Sequence, residues 1–186
     1  MIDGGHVRAL ARAAKKKYDE NYIEMVALAS IADDEVPLRI LYYDCARFEG
    51  TVKLPVTATP HEFKASDQWL RDLAAKDLFA VRRGVLKFRG WKPKKVPLKA
   101  APADADFEPD FEQKGVDMRI GLDMASFSES RAVDRIILIS GDTDCVPAMK
   151  HVRKAGLQVV IVSFPNGRTI PELLWHADFE RKVDWP

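Results

Sequence analysis

The sequence predicts an α/β fold in which a mainly parallel sheet carries helices on both faces. Three observations lead there. "RIILIS" (135–140) and "LQVVIV" (157–162) are apolar without alternation, as strands covered on both faces must be. Between them, "PAMKHVRKAG" has proline in its first turn and glycine past its end, the end chemistry of a helix. The last third therefore alternates helix, strand, helix, strand, helix, an order that winds a parallel sheet. In such sheets, sites lie at the carboxyl ends of the strands.

The composition agrees. The 186 residues are 47% hydrophobic and 31% charged, which suits one globular domain over 1–186. A formal net charge of +1 supplies no global field for nucleic acid or membrane, so any such signal is local. No apolar run approaches membrane-spanning length and no signal-peptide pattern opens the chain, which makes the cytoplasm the expected location. Cys45 and Cys145 lie far apart and form no CxxC pair; they read as two reduced thiols, not as zinc ligands.

In chain order, Asp3 and Gly4-Gly5 open a helical stretch that breaks near 17–21. "PLRILYYDC" reads as a strand stopped at Asp44. "GTVKLPVTATP" reads as a loop. A helix is expected from Pro60, with Thr59 as N-cap and Glu62 closing a capping box. "LFAVRRGVLKFRGW" reads as one or two short strands turning at Gly84. "KPKKVPLKAAPADADFEPDFEQ" reads as a mobile loop, part of a basic and Pro-rich insertion around 82–113. "KGVDMRIGLDMASFSES" is a helix whose apolar stripe is Val116, Ile120, Met124 and Phe127. "TIPELLWHADF" is a short helix and "ERKVDW" a last edge strand.

Four acids stand out in this frame. Asp3 follows the apolar "MI", Asp142 follows "IILIS", Asp144 lies two residues on, and Asp117 sits in the first turn of its helix. Singly, each has a structural reading: Asp3 and Asp144 as caps, Asp142 as a turn residue, Asp117 as a charge near a helix N-terminus. Jointly they point elsewhere, provided the first strand neighbours the one before Asp142. Two like charges ~4 Å apart repel by roughly 4 kcal/mol at an effective dielectric near 20. Clustered carboxylates therefore need protons or a cation, and an all-oxygen set suits Mg²⁺ or Mn²⁺. A hard cation with open positions activates water and stabilises charge on a phosphodiester. His6, one turn beyond Asp3, is placed to touch a phosphate or a ligand water.

"IDGGHVR", "LYYD", "KGVDMRIGLDM" and "ILISGDTDCVPAMKHVRKAGLQVVIV" resemble, in order and spacing, the NYN domains, the LabA-like branch of the PIN-like nucleases. The resemblance implies a PIN-like three-layer α/β/α sandwich with a central mainly parallel sheet, and metal-dependent ribonuclease activity leaving 5′-phosphate and 3′-hydroxyl ends. It assigns Asp3, Asp117, Asp142 and Asp144 as catalytic metal-binding acids. Ser140 matches the small hydroxyl that holds a ligand water or a carboxylate, and Lys114 the lysine that steadies a phosphate. Asp123 matches a second acid on the same helix, but six residues past Asp117 it turns away from it, which suits a supporting role. Two departures from the family pattern stand out. Only Met1 and Ile2 precede Asp3, where the family has a full strand, so a weaker grip on Asp3 is expected. Cys145 replaces a phenylalanine, so looser packing is expected there.

The substrate expected is single-stranded RNA. Arg82, Arg83, Lys87, Arg89, Lys92, Lys94, Lys95 and Lys99 lie within 81–99 with Phe88 and Trp91 interleaved and no acid between them. Cations for phosphates and aromatic faces for bases are what such a path needs, although a solvated basic loop has the same composition. The acidic run from Asp104 to Glu112 is placed to fold back on these cations. Trp175 and Trp185 mark a possible homodimer face. A PIN-like module that binds RNA or protein without cutting is the alternative reading.

Overall fold

The structure, a computed structural model, describes residues 1–98, 100–165, 167 and 170–186. Its centre is a sheet in two parts. One part has the order β1 (Ile2–Asp3), β2 (Ile40–Cys45), β5 (Phe79–Pro93), β6 (Phe107–Lys114). The other has the order β7 (Arg135–Leu138), β8 (Gln158–Ser163), β9 (Phe179–Lys182). All neighbours are parallel except β5 and β6.

The two parts meet at β1. Ile2 pairs with Tyr42 on one side and bridges Ile139 on the other. Asp3 donates its N–H to Ile139 O (2.9 Å), and Ile139 donates to Met1 O (2.9 Å). Two residues thus join both half-sheets, and Asp3 enters the space between them. The expected neighbouring of the first strand and the strand before Asp142 is met.

Alternation along β2 supplies both cores. Ile40 and Tyr42 face one way, against α1 (Gly4–Ala13), α2 (Glu20–Ala29) and α3 (Gln68–Ala74), whose Val7, Ile23, Val26, Leu70 and Leu73 are buried there. Leu41, Tyr43 and Cys45 face the other way. There they meet Ile120 and Met124 of α4 (Val116–Ser130), Met149 of α5 (Val146–Lys154) and Leu173 of α6 (Pro171–Trp175). The three layers are therefore helix, sheet, helix, as the sequence predicts. Buried Cys145 fills its place in the second core.

Three expectations need correction. The helix expected from Pro60 begins at Gln68; Pro60–Phe63 is instead β4, paired antiparallel with β3 (Gly50–Lys53). No apolar helical period follows Glu62 until Trp69 and Leu70, so the cap signals had no helix to start. Second, there is no turn at Gly84; β5 runs unbroken past it with one irregularity between Phe88 and Gly90. Third, the segment read as a mobile loop, 92–113, ends in a strand: β6 pairs antiparallel with distal β5 to make a two-stranded arm.

One face of the arm alternates apolar. Phe88, Trp91 and Phe111 gather with Phe48, His61 and Phe63 into a ring cluster with centroid separations from 4.7 to 6.1 Å. The other face interleaves charge. Arg89 pairs with Glu112 (2.7 Å), Lys92 with Glu108 and Asp110 (3.6 and 3.4 Å), and Lys114 with Glu112.

No helix among the described residues is long and apolar enough to cross a membrane. Trp185 is half-buried: its ring stacks on Phe164 at 4.1 Å and its Nε1 donates to Pro165 O. Trp175 is 73% exposed.

Candidate metal centre

The carboxyl ends of β1 and β7 and the amino end of α4 frame an open cleft of about 410 Å³. Asp3, Gly5, His6, Gln113, Asp117, Gly141, Asp142, Thr143 and Ile170 line it. β6 delivers Asp117 through a tight turn. Gly115 caps α4 with φ of +76°, a left-handed conformation that glycine adopts without strain. Asp117 follows two residues later, in the first turn of α4. β7 delivers Asp142 and Asp144 through a 3₁₀ turn at Thr143–Cys145, in which Asp144 donates its N–H to Asp142 Oδ1 (2.9 Å).

Carboxylate oxygens of Asp117, Asp142 and Asp144 lie within 4.8 Å of one another. Among the described residues, none of the three is ion-paired with a lysine, arginine or histidine. The acids load one another instead. The Asp117 carboxyl is pushed above its ordinary range by burial first, and then by Asp142, Asp3 and Asp144.

Asp3 stands beside this triad, outside the group that shares the 4.8 Å spacing. It is 9% exposed and held from two sides. Its Oδ1 accepts from His6 N (3.1 Å), which makes it the N-cap of α1. Its Oδ2 accepts from the Ser140 hydroxyl (3.2 Å). Ser140 Oγ also accepts from Asp142 N (3.1 Å). One buried hydroxyl thus ties the strand-end acid to the acidic turn, and the two-residue strand still orders Asp3.

His6 packs its ring over Gly141, where an added Cβ would lie 2.6 Å from Cε1. Burial pulls the His6 pKa down, and Asp3 opposes this. The neutral imidazole is thereby favoured at the rim of the cleft.

The other expected residues lie apart from the acids. Asp123 accepts from Tyr43 OH (3.0 Å) and, bidentately, from Arg82 Nε and Nη2 (2.9 and 3.0 Å). Arg83 pairs with Asp67 (2.6 Å). Lys114 points at Glu112. Trp91 donates to Lys53 O (2.8 Å), and Lys94 to Ala105 O (2.9 Å). Lys87 and Lys95 make no ion pair among the described residues. Lys99, the end of the basic run, lies outside them, as does Thr169 at the start of the "TIPELLWHADF" segment.

Two residues near the cleft were not anticipated. Asp44 is fully buried, and Gln113, on the cleft wall, reaches it through Nε2 (3.3 Å). Asp44 reads in the sequence as a strand terminator, and nothing local marks a partner 69 residues away.

The NYN domain profile matches residues 71–180, which span Asp117, Asp142 and Asp144 with their supporting elements. The chain belongs to the NYN domain family. NYN domains lie in the PIN-like nuclease superfamily and are generally nucleases, usually dependent on divalent metals. The fold is similar to the crystal structure of a protein of unknown function from Vibrio parahaemolyticus RIMD 2210633. That likeness has a TM-score of 0.52 and 19% identity and covers 95% of this chain and 85% of that one. Comparison with curated proteins gave no match.

Proposed function

We propose that the chain is a Mg²⁺- or Mn²⁺-dependent ribonuclease of the LabA-like branch, acting on single-stranded RNA in the cytoplasm. One observation carries the reading: three carboxylates converge within 4.8 Å and no described cation neutralises them. The donor set is all oxygen, which fits a hard divalent ion. Asp117, Asp142 and Asp144 are the residues that hold it, with Asp3 on the adjoining wall.

A bound Mg²⁺ or Mn²⁺ supplies a Lewis acid that activates water and offsets charge on the phosphodiester. The protein's part is positional. The 3₁₀ turn holds Asp142 and Asp144 in fixed relation. Ser140 keeps Asp3 at the same edge. Asp117, whose carboxyl is pushed above the ordinary range by burial and the neighbouring acids, would bind the ion in its ionised form. His6, favoured neutral, accepts or relays a proton at the rim.

For the RNA path, support is narrower than the basic run suggests. Among the described residues, Arg82, Arg83, Arg89 and Lys92 are paired with acids, which leaves Lys87, Lys94 and Lys95 without an acidic partner. The buried, free Cys45 and Cys145 suit a reducing compartment.

The test is cleavage of labelled single-stranded RNA with Mn²⁺ or with chelator, by wild type, Asp142→Asn and Asp144→Asn. Cleavage by wild type with Mn²⁺ alone, lost in both variants, is expected. Equal activity in all three proteins removes the acids as the catalyst. RNA binding without cleavage in Mn²⁺ moves the reading to a non-cutting module.

A further inference from the structure

The proposed function leaves the acid of "LYYD" without a role. Asp44 has no solvent exposure, and a buried carboxylate needs full compensation. It has four donors. Oδ2 accepts from Arg8 Nη2 and from Tyr42 OH (2.8 Å); Oδ1 accepts from Cys45 N (2.7 Å) and from Gln113 Nε2 (3.3 Å). Arg8 supplies the countercharge and Tyr42 and Cys45 the local hydrogen bonds. Gln113 is the one donor that also lines the acidic cleft.

That contact fixes which way the Gln113 amide faces. An ionised carboxylate only accepts, so the amide must turn its NH₂ toward Asp44 and its carbonyl oxygen away. The oxygen then lies over Gly5. A Cβ built on Gly5 would stand 3.1 Å from Gln113 Oε1 and 3.3 Å from Asp3 Oδ1. Both oxygens therefore share the space above one glycine, on the Asp3 wall of the cleft.

We propose that Gln113 adds a neutral carbonyl oxygen to the metal centre, reached directly or through a metal-bound water, and that Asp44 is the positioning residue that orients it. The proposal rests on the reading of the cleft as a Mg²⁺/Mn²⁺ site. A neutral ligand here completes the oxygen set without adding to the repulsion among the acids. Glutamate in its place would raise that repulsion in the ion-free protein.

The probe is Mn²⁺ alone, titrated into the purified chain and followed by electron paramagnetic resonance, with no RNA present. Gln113→Leu is expected to weaken Mn²⁺ binding at least five-fold with only a small fall in its thermal melt, because Arg8, Tyr42 and Cys45 still bond Asp44. Gln113 is exposed and on a strand edge, so this variant folds. Replacing the buried pair by apolar residues, Asp44→Leu with Arg8→Leu, removes the acceptor that orients the amide and is expected to weaken binding to a similar degree. Adding Gln113→Leu to that pair is expected to cost nothing more, because the two changes act through one oxygen. Unchanged affinity in Gln113→Leu overturns the ligand role. Additive losses overturn the positioning role of Asp44. Failure of wild type to bind Mn²⁺ removes the metal centre and this proposal together, whereas tight wild-type binding with an unaffected Gln113→Leu removes this proposal alone.

Discussion

The acidic cleft and the β5–β6 arm handle charge in opposite ways. On the arm, acids and bases interleave across the two strands, so Glu112 sits between Arg89 and Lys114. Its carboxyl is held below the usual range, chiefly by the hydrogen bond from Lys114. In the cleft, acids face acids, and Asp117 is pushed above the usual range. Both regions carry carboxylates on strand or helix ends. The difference is that most of the arm's charges are paired within the chain, while among the described residues the acids of the cleft meet no cation. Surface pairs of the arm's kind contribute little to stability. The arm stands instead on its ring cluster, and the cleft stands at some cost to the fold.

The sharpest way to break this comparison is at the acids. Asp142→Asn or Asp144→Asn is expected to abolish detectable RNA cleavage, because the Lewis acid would be lost with its ligand, with no loss of thermal stability. A parallel fall in melting temperature would make these acids structural. Next, Phe111→Ala removes a central ring of the arm. It is expected to destabilise the fold by about 2 kcal/mol, since the ring is only partly buried, in chemical denaturation. Mn²⁺ binding should not change; if it does, arm and cleft are not independent.

Glu112→Gln frees Arg89 and Lys114. Its stability effect is expected within about 0.5 kcal/mol. The slope of log affinity for single-stranded RNA against log salt should steepen by ~0.7 for each cation released. An unchanged slope would take the arm out of the RNA path.

The smallest effect concerns pH. An acid whose folded pKa is raised costs the fold stability as pH climbs from the ordinary carboxylate range through that raised value. Asp117→Asn is therefore expected to raise the melting temperature of the metal-free protein above neutral pH by about 1–2 °C. The same variant should lose the rise in melting temperature that Mn²⁺ produces in wild type. Glu35 provides the reverse case. Arg181 and Arg135 hold its pKa down to about 2, so its contribution is complete above pH ~4.5 and fades as pH falls toward about 2. Glu35→Gln is expected to flatten acid unfolding in that window.

The parallel core was legible because its strands lie beneath helices on both faces and can carry no polar alternation. β2, β7, β8 and the stripe of α4 follow from that single constraint. The arm was not read, although its signal was present. Phe107, Pro109 and Phe111 alternate with Glu108, Asp110 and Glu112, the period of a half-covered strand. Charge and proline in the same stretch give it the composition of a loop as well. At the site, Asp117, Asp142 and Asp144 follow visible motifs at element ends. Asp44 and Gln113 do not, because their relation exists only after β5 has laid β2 and β6 on either side of itself.

The bridge at Ile2 gives this architecture a seam. Transient parting of β1 from the β7 strand end frees the amides of Asp3 and Ile139 to exchange with solvent, and it carries the wall bearing Asp3 away from the turn bearing Asp142. A divalent ion held between Asp117 and Asp142 would act as a rivet across that boundary. Deuterium uptake at those two amides should slow on adding Mn²⁺, while uptake in the distant ring cluster keeps its pace.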